Sequence, residues 1–174
     1  MNLTALTSRE DGSLTLSMTS VGKKIEFSLI SPIDVKTHIL CLPPIKEEHI
    51  PGTARITQRS HYPGDTDRLQ VDHCTPPAGN IFSGRDAVNV IVFMAEIEII
   101  ETYRSRGMPI IPPVSLLAIP ARKRGRDNEI GILCAPGWTE YVRFKGGEPV
   151  EEISSRETTP TGIIDGAREF FRLR

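Results

Sequence analysis

Leu14, Leu16 and Met18 alternate with small polar residues, and after Val21-Gly22-Lys23-Lys24 the alternation returns at Ile25, Phe27 and Leu29. A period of two around a Gly-containing break predicts an antiparallel hairpin with one buried face. A third strand is expected over 37–42, halted by Pro43-Pro44 because proline has no N–H for a ladder. Next, Lys46, Glu47, Glu48, Arg55, Gln58 and Arg59 surround Ile45, Ile50, Ala54 and Ile56. This predicts a short amphipathic helix beginning near Pro51, where a first turn tolerates proline, and ending before Tyr62-Pro63-Gly64. Leu69 and Val71 restore alternation and predict a strand, whereas the Pro, Gly and Asn of 75–84 read as loop.

The second half is more regular. Residues 89–94 form an apolar, β-branched run, the pattern of a buried strand. A helix is predicted over 95–106, with Ile97, Ile99, Ile100 and Tyr103 inward, acids early, arginines late and Gly107 ending it. Residues 108–119 then read as extended apolar sequence interrupted by Pro112-Pro113, giving a strand–helix–strand unit. Beyond a charged loop at 122–128, strands are expected over 129–134, 138–144 and 150–154, the last two joined at Lys145-Gly146-Gly147-Glu148. Ile163, Ile164, Ala167, Phe170 and Phe171 recur at helical spacing, with Arg168, Arg172 and Arg174 near the end. Ile97, Ile100, Ile163 and Phe170 are expected in the core. The fold class is therefore mixed α/β, with one sheet of about five strands and helices on its faces.

Composition narrows the class of function without choosing one. The 174 residues are 39% hydrophobic and 25% charged, ordinary for one folded domain able to bury a core. Lys+Arg 21 against Asp+Glu 22 lacks the basic excess of most nucleic-acid or anionic-lipid binders, so neither is an expected partner. Cys41, Cys74 and Cys134 are scattered and odd in number, which points to free thiols in a reducing, cytoplasmic compartment. There is no signal-peptide pattern, and no run approaches the roughly 20 apolar residues of a membrane helix. Tethering at a membrane would need a further segment or a partner.

Tests for chemistry return mostly absences. The chain has no P-loop, no Gly-x-Gly-x-x-Gly and no Gly-x-Ser-x-Gly. Alternation points His73 and Cys74 to opposite faces of a strand, as it does His38 and Cys41, so no metal site is expected. His61, Asp65, Asp67 and His73, with Asp72, are one acid–base candidate, and would serve a small hydrolase or transferase. Against this, Asp65 and Asp67 follow Pro63-Gly64 as turn formers would, and no nucleophile accompanies them. The run Arg122-Lys123-Arg124-Gly125-Arg126 could meet an acidic partner or simply be a solvated loop balanced by Asp127 and Glu129. Trp138 and Tyr141 are expected to fill the core.

From residue 89 onward the order of elements resembles the actin-like superfamily as it serves bacterial secretion and pilus machines. It is similar to the cytoplasmic L protein of type II secretion and the M protein of type IV pilus assembly. The residues that carry the likeness are the buried strand, the following helix, Gly107-Met108-Pro109, and the meander through Gly131-Ile132-Leu133-Cys134-Ala135-Pro136-Gly137-Trp138 to Glu140-Tyr141-Val142-Arg143-Phe144. Gln58-Arg59-Ser60-His61-Tyr62-Pro63-Gly64 resembles the end of the family's small helical segment. The resemblance implies an actin-like (RNase H-like) lobe over 1–174, with 160–174 a candidate start of a second subdomain. Active members carry an Asp-x-Gly-x-x-Thr phosphate loop between the first two strands of this meander. Here the matching stretch is Ala135, Pro136, Gly137, Trp138, Thr139 and Glu140, and only Gly137 agrees. Ala135 cannot orient a metal-bound water, Trp138 is bulky where backbone N–H groups should approach an anion, and Glu140 would repel phosphate. Asp11-Gly12-Ser13, preceded by polar Ser8-Arg9-Glu10, is an equally poor N-terminal counterpart. The expectation is a scaffold without enzyme activity, cofactor or metal. It would sit in the cytoplasm at the inner membrane and dock the motor ATPase or a neighbouring component, with homodimerisation open.

Overall fold

Among the described residues, the strands divide into three small β-sheets. The computed structural model describes residues 2–8, 14–20, 22–43, 45–61, 66–74 and 88–172. β1 (Asn2–Ser8), β2 (Leu14–Ser20) and β3 (Lys23–Leu29) form an antiparallel meander, and the short β7 (Ile110–Ile111) joins β3 in parallel. β4 (Lys36–Leu42) and β5 (Leu69–Cys74) flank β6 (Val88–Glu96), antiparallel on both sides. β8 (Glu129–Ala135), β9 (Trp138–Lys145) and β10 (Glu148–Ser155) make a second meander with β9 in the middle. α1 (Ile50–His61) lies between β4 and β5, α2 (Ile97–Arg104) follows β6 directly, α3 (Pro113–Arg124) precedes β8, and α4 (Pro160–Arg172) follows β10.

The single sheet of about five strands is not what forms. β6 pairs with β4 on one edge and β5 on the other, so it has no edge left for β7 or β3. The strand expected over 108–119 shrinks to Ile110–Ile111, and α3 takes the rest. Proline explains the switch. Pro112 is extended at φ −80°, ψ 153°, as a residue before proline must be, and Pro113 occupies the first helical turn, which needs no N–H. Val114, Leu117, Ala118 and Ala121 then recur at helical spacing, and Val114, Ala118 and Ala121 are buried. The charged loop expected at 122–128 begins later for the same reason. α3 runs to Arg124 and ends on Gly125, whose φ of 58° closes the helix with its N–H on the Ala121 carbonyl.

β9 lies at the heart of the packing because it is buried on both faces. Trp138 packs with Leu14, Leu16, Leu29, Leu116 and Ala135, while Val142 and Phe144 pack with Ile91 and the α3 residues Val114, Ala118 and Ala121. On the opposite face the Tyr141 hydroxyl donates to the Ile163 carbonyl of α4 at 3.2 Å, and its ring lies 6.4 Å from that of Phe170. A Cβ at Gly166 would come within 2.7 Å of the Tyr141 oxygen, so this closeness of helix to sheet requires glycine. Of the four expected core residues, Phe170 is buried and Ile100 and Ile163 are half-buried, but Ile97 is 42% exposed. At about 100° per residue, Ile99, Ile100 and Tyr103 fall on one side of α2 and Ile97 falls well off it. Among the described residues, no helix is long and apolar enough to cross a membrane.

Candidate functional site

The stretch matching a phosphate loop is a tight β8–β9 hairpin. Ala135 pairs with Trp138 across Pro136 and Gly137, and Gly137 takes the left-handed φ of 83° that such a turn needs. Ala135 and Trp138 point into the core, and the Thr139 hydroxyl, fully buried, donates to the Glu157 carbonyl at 2.7 Å. Glu140 corrects an expectation. Its carboxylate does not project from the turn to repel an anion, because Glu140 is 1% exposed and accepts a hydrogen bond from the Ser154 hydroxyl at 2.5 Å. Burial pushes its carboxyl up to about 7, while bonds from Ser154 and Glu152 pull it down. The strand period puts Trp138, Glu140, Val142 and Phe144 on one face, and that spacing was the signal that Glu140 points inward.

The acid–base candidate is not drawn together where it can be seen. Asp65 and the side chain of His61 lie outside the described residues, as does the Asp11-Gly12-Ser13 segment. Asp67 is exposed in a 3-10 turn at Thr66–Arg68, while His73 lies near the far end of β5, half-buried, its N–H donating to Asp72 Oδ1 at 2.7 Å. Four residues of strand, about 13 Å, separate Leu69 from His73. Among the described residues no three His, Cys, Asp or Glu side chains gather as a metal site. The basic run is also partly absorbed: Arg122 pairs with Glu148 at 3.2 Å and Arg124 pairs with Glu129. Cys41 and Cys134 are free, exposed thiols.

A feature that sequence reasoning missed is an apolar groove where β5, β6, α2 and β7 meet the segment that follows β3. Ile30, Val35, Phe93, Ile100, Ile110 and Pro112 form much of its lining, with Gln70, Asp72 and Arg104 as its polar members. Arg104 is held by two partners, Glu101 Oε1 at 2.8 Å and Gln70 Oε1 at 3.1 Å. One wall is fixed by Tyr103, whose hydroxyl donates to Asp34 Oδ2 at 3.0 Å and accepts from the Ser31 N–H at 3.3 Å. The Arg106 guanidinium lies 4.6 Å over the Tyr103 ring, and burial raises the Tyr103 hydroxyl above its ordinary pKa. At about 270 Å³ the groove sits just below the range of about 300–1,000 Å³ usual for small-molecule sites. It suits one or two inserted apolar side chains beside a positioned guanidinium.

These features define a mixed α/β protein whose apolar groove has a positioned polar rim and whose loop-like turn is filled by its own core. No family model and no curated protein matches this chain. Among solved structures, a chain of a "PilM-PilN type IV pilus biogenesis complex" is similar over 91% of this chain, at 13% identity and a TM-score of 0.60. This chain spans 62% of that chain's length. At such low identity, the likeness speaks for the fold.

Proposed function

We propose that this chain is a non-catalytic scaffold of the inner-membrane platform of a type IV pilus or type II secretion system, built as an actin-like lobe. It works on the cytoplasmic side and docks the motor ATPase or a neighbouring inner-membrane component. The observation that carries this reading is the groove. Its apolar floor, fixed wall and doubly held Arg104 are prepared to receive a protein segment with an apolar anchor and an acidic or carbonyl group nearby. The shared fold with a chain of a pilus biogenesis complex makes such a machine the natural setting. The interior placement of Trp138, Thr139 and Glu140 supports the absence of turnover, since the side chains beside the turn are committed to packing.

The direct test is binding of purified cytoplasmic segments of pilus inner-membrane components, and of the N-terminal region of the motor ATPase, to the wild type and to Ile100→Glu. Binding by the wild type that the groove variant loses is expected. Equal binding by both, or by neither, would remove the groove from the account.

A further inference from the structure

A second cavity lies where the edge of β10 faces the edge of β4; it shares Val35 with the groove and adjoins two carboxyls, Glu140 and Glu152, that do not line the groove. The cavity is about 250 Å³, lined by Pro32, Val35, Lys36, Thr37 and His38 on one side and Glu152, Ile153 and Ser154 on the other. Ser154 pairs with Glu140 across the ladder and Glu152 with Val142, so the period of two puts Glu140, Glu152 and Ser154 on one face as diagonal neighbours. Glu140 is fully buried, and the second carboxyl oxygen of Glu152 is buried with no hydrogen-bond partner. With the Ser154 hydroxyl already given to Glu140, a proton carried by one carboxyl is the donor that the unpartnered Glu152 oxygen lacks.

We propose that Glu140 and Glu152 form a proton-operated latch: with a shared proton the edge of β10 stays closed on β4, and without it the seam opens toward Lys36 and His38. The charges around the pair are few. β4 contributes Lys36 and His38, β10 adds only the Ser154 hydroxyl, and β6, which also touches β10, is apolar over 90–95. Arg143–Glu151 lies on the opposite face of the sheet, and α3 contributes Arg122, which pairs with Glu148 at the other end of β10. Two ionised carboxylates placed diagonally on one face, one of them fully buried, repel strongly, and a swing of Glu152 into the cavity toward Lys36 relieves that repulsion.

The electrostatics agree with the geometry. Burial, then the charge and bond of Glu140, push Glu152 up to about 8, above the value of about 7 for Glu140. In the unfolded chain both titrate in the usual carboxylate range, about 4.3. Above that range the unfolded chain has lost protons that the folded pair still holds, so stability falls as pH rises toward the folded values. At acid pH, below the ordinary range, the pair makes no difference.

Native-state hydrogen exchange at pH 7 and 8, corrected for the chemical rate, tests the latch on the wild type, Glu152→Gln, Glu140→Gln and His38→Gln. Loss of one linked proton should raise opening of the β4 and β10 amides about tenfold per pH unit, while those of β2 change little. Glu152→Gln, which keeps a donor and cannot ionise, should flatten the rise, as should Glu140→Gln, and His38→Gln should preserve it. No rise in the wild type, the same rise in Glu152→Gln, its loss in His38→Gln, or an equal rise in β2 would each overturn the latch. Should the glutamine variants fail to fold, carboxyl-carbon NMR titration of the wild type decides. Two glutamates titrating well above the ordinary range support the pair, and none doing so overturns it.

Discussion

The β8–β9 turn and the groove are built by opposite uses of polar chemistry. At the turn, the residues beside Pro136 and Gly137 spend their side chains inward: Trp138 on the core, Thr139 on the Glu157 carbonyl, Glu140 on Ser154. At the groove, polar contacts hold apolar surface open. Glu101 and Gln70 position Arg104, while Asp34 and Ser31 anchor Tyr103 behind the wall. A site needs groups left over after folding, and the groove keeps them where the turn does not. On the proposed reading, partner binding falls to the groove, while the turn serves stability.

Substitutions should separate the two regions. Trp138→Ala removes a buried ring from the cluster with Leu14, Leu16 and Leu29, and should cost about 3–5 kcal/mol by urea denaturation while leaving the groove's affinity for a partner intact. Phe170→Ala should fall in the same range at its lower end, because the ring is buried against Tyr141 at one end of α4. A loss below about 1 kcal/mol would mean that α4 is only loosely attached to β9. Tyr103→Phe keeps the ring and deletes the hydroxyl bonds to Asp34 and Ser31, so about 0.5–1.5 kcal/mol is expected, together with weaker partner binding from a loosened wall. Arg104→Ala should change stability least, about 0.5 kcal/mol or less, since its ion pair with Glu101 is exposed, yet should reduce binding clearly. An Arg104→Ala protein that binds as well as the wild type would take the guanidinium out of the recognition.

Much of the scaffold was legible in the residues. The strands at Leu14–Ser20, Lys23–Leu29 and Glu129–Ser155 follow local alternation and Gly turns, and α1 begins at Ile50–Pro51 as the proline predicts. α3 is hard to read from the sequence because Pro112-Pro113 looks like an interruption of a strand, although the spacing of Val114, Ala118 and Ala121 favours a helix. The division into three sheets was hidden because pairing partners are non-local: nothing within β6 tells that both its edges will be taken. The groove was invisible for a related reason. Ile30, Gln70, Phe93, Arg104 and Ile110 come from five separate segments, and no short motif joins them. Glu140 could have been found, because an acid between Trp138 and Val142 on the inward register of a strand must be satisfied inside.

The most direct test of the central claim is calorimetry that titrates the protein first with millimolar Mg-ATP and then with a purified cytoplasmic segment of a pilus inner-membrane component, using the wild type and Ile100→Glu. No saturable heat and no phosphate release are expected with Mg-ATP, together with saturable binding of the segment by the wild type and loss of that binding in Ile100→Glu. Low-micromolar nucleotide binding, turnover lost in Glu140→Gln, or segment binding indifferent to Ile100 would contradict it.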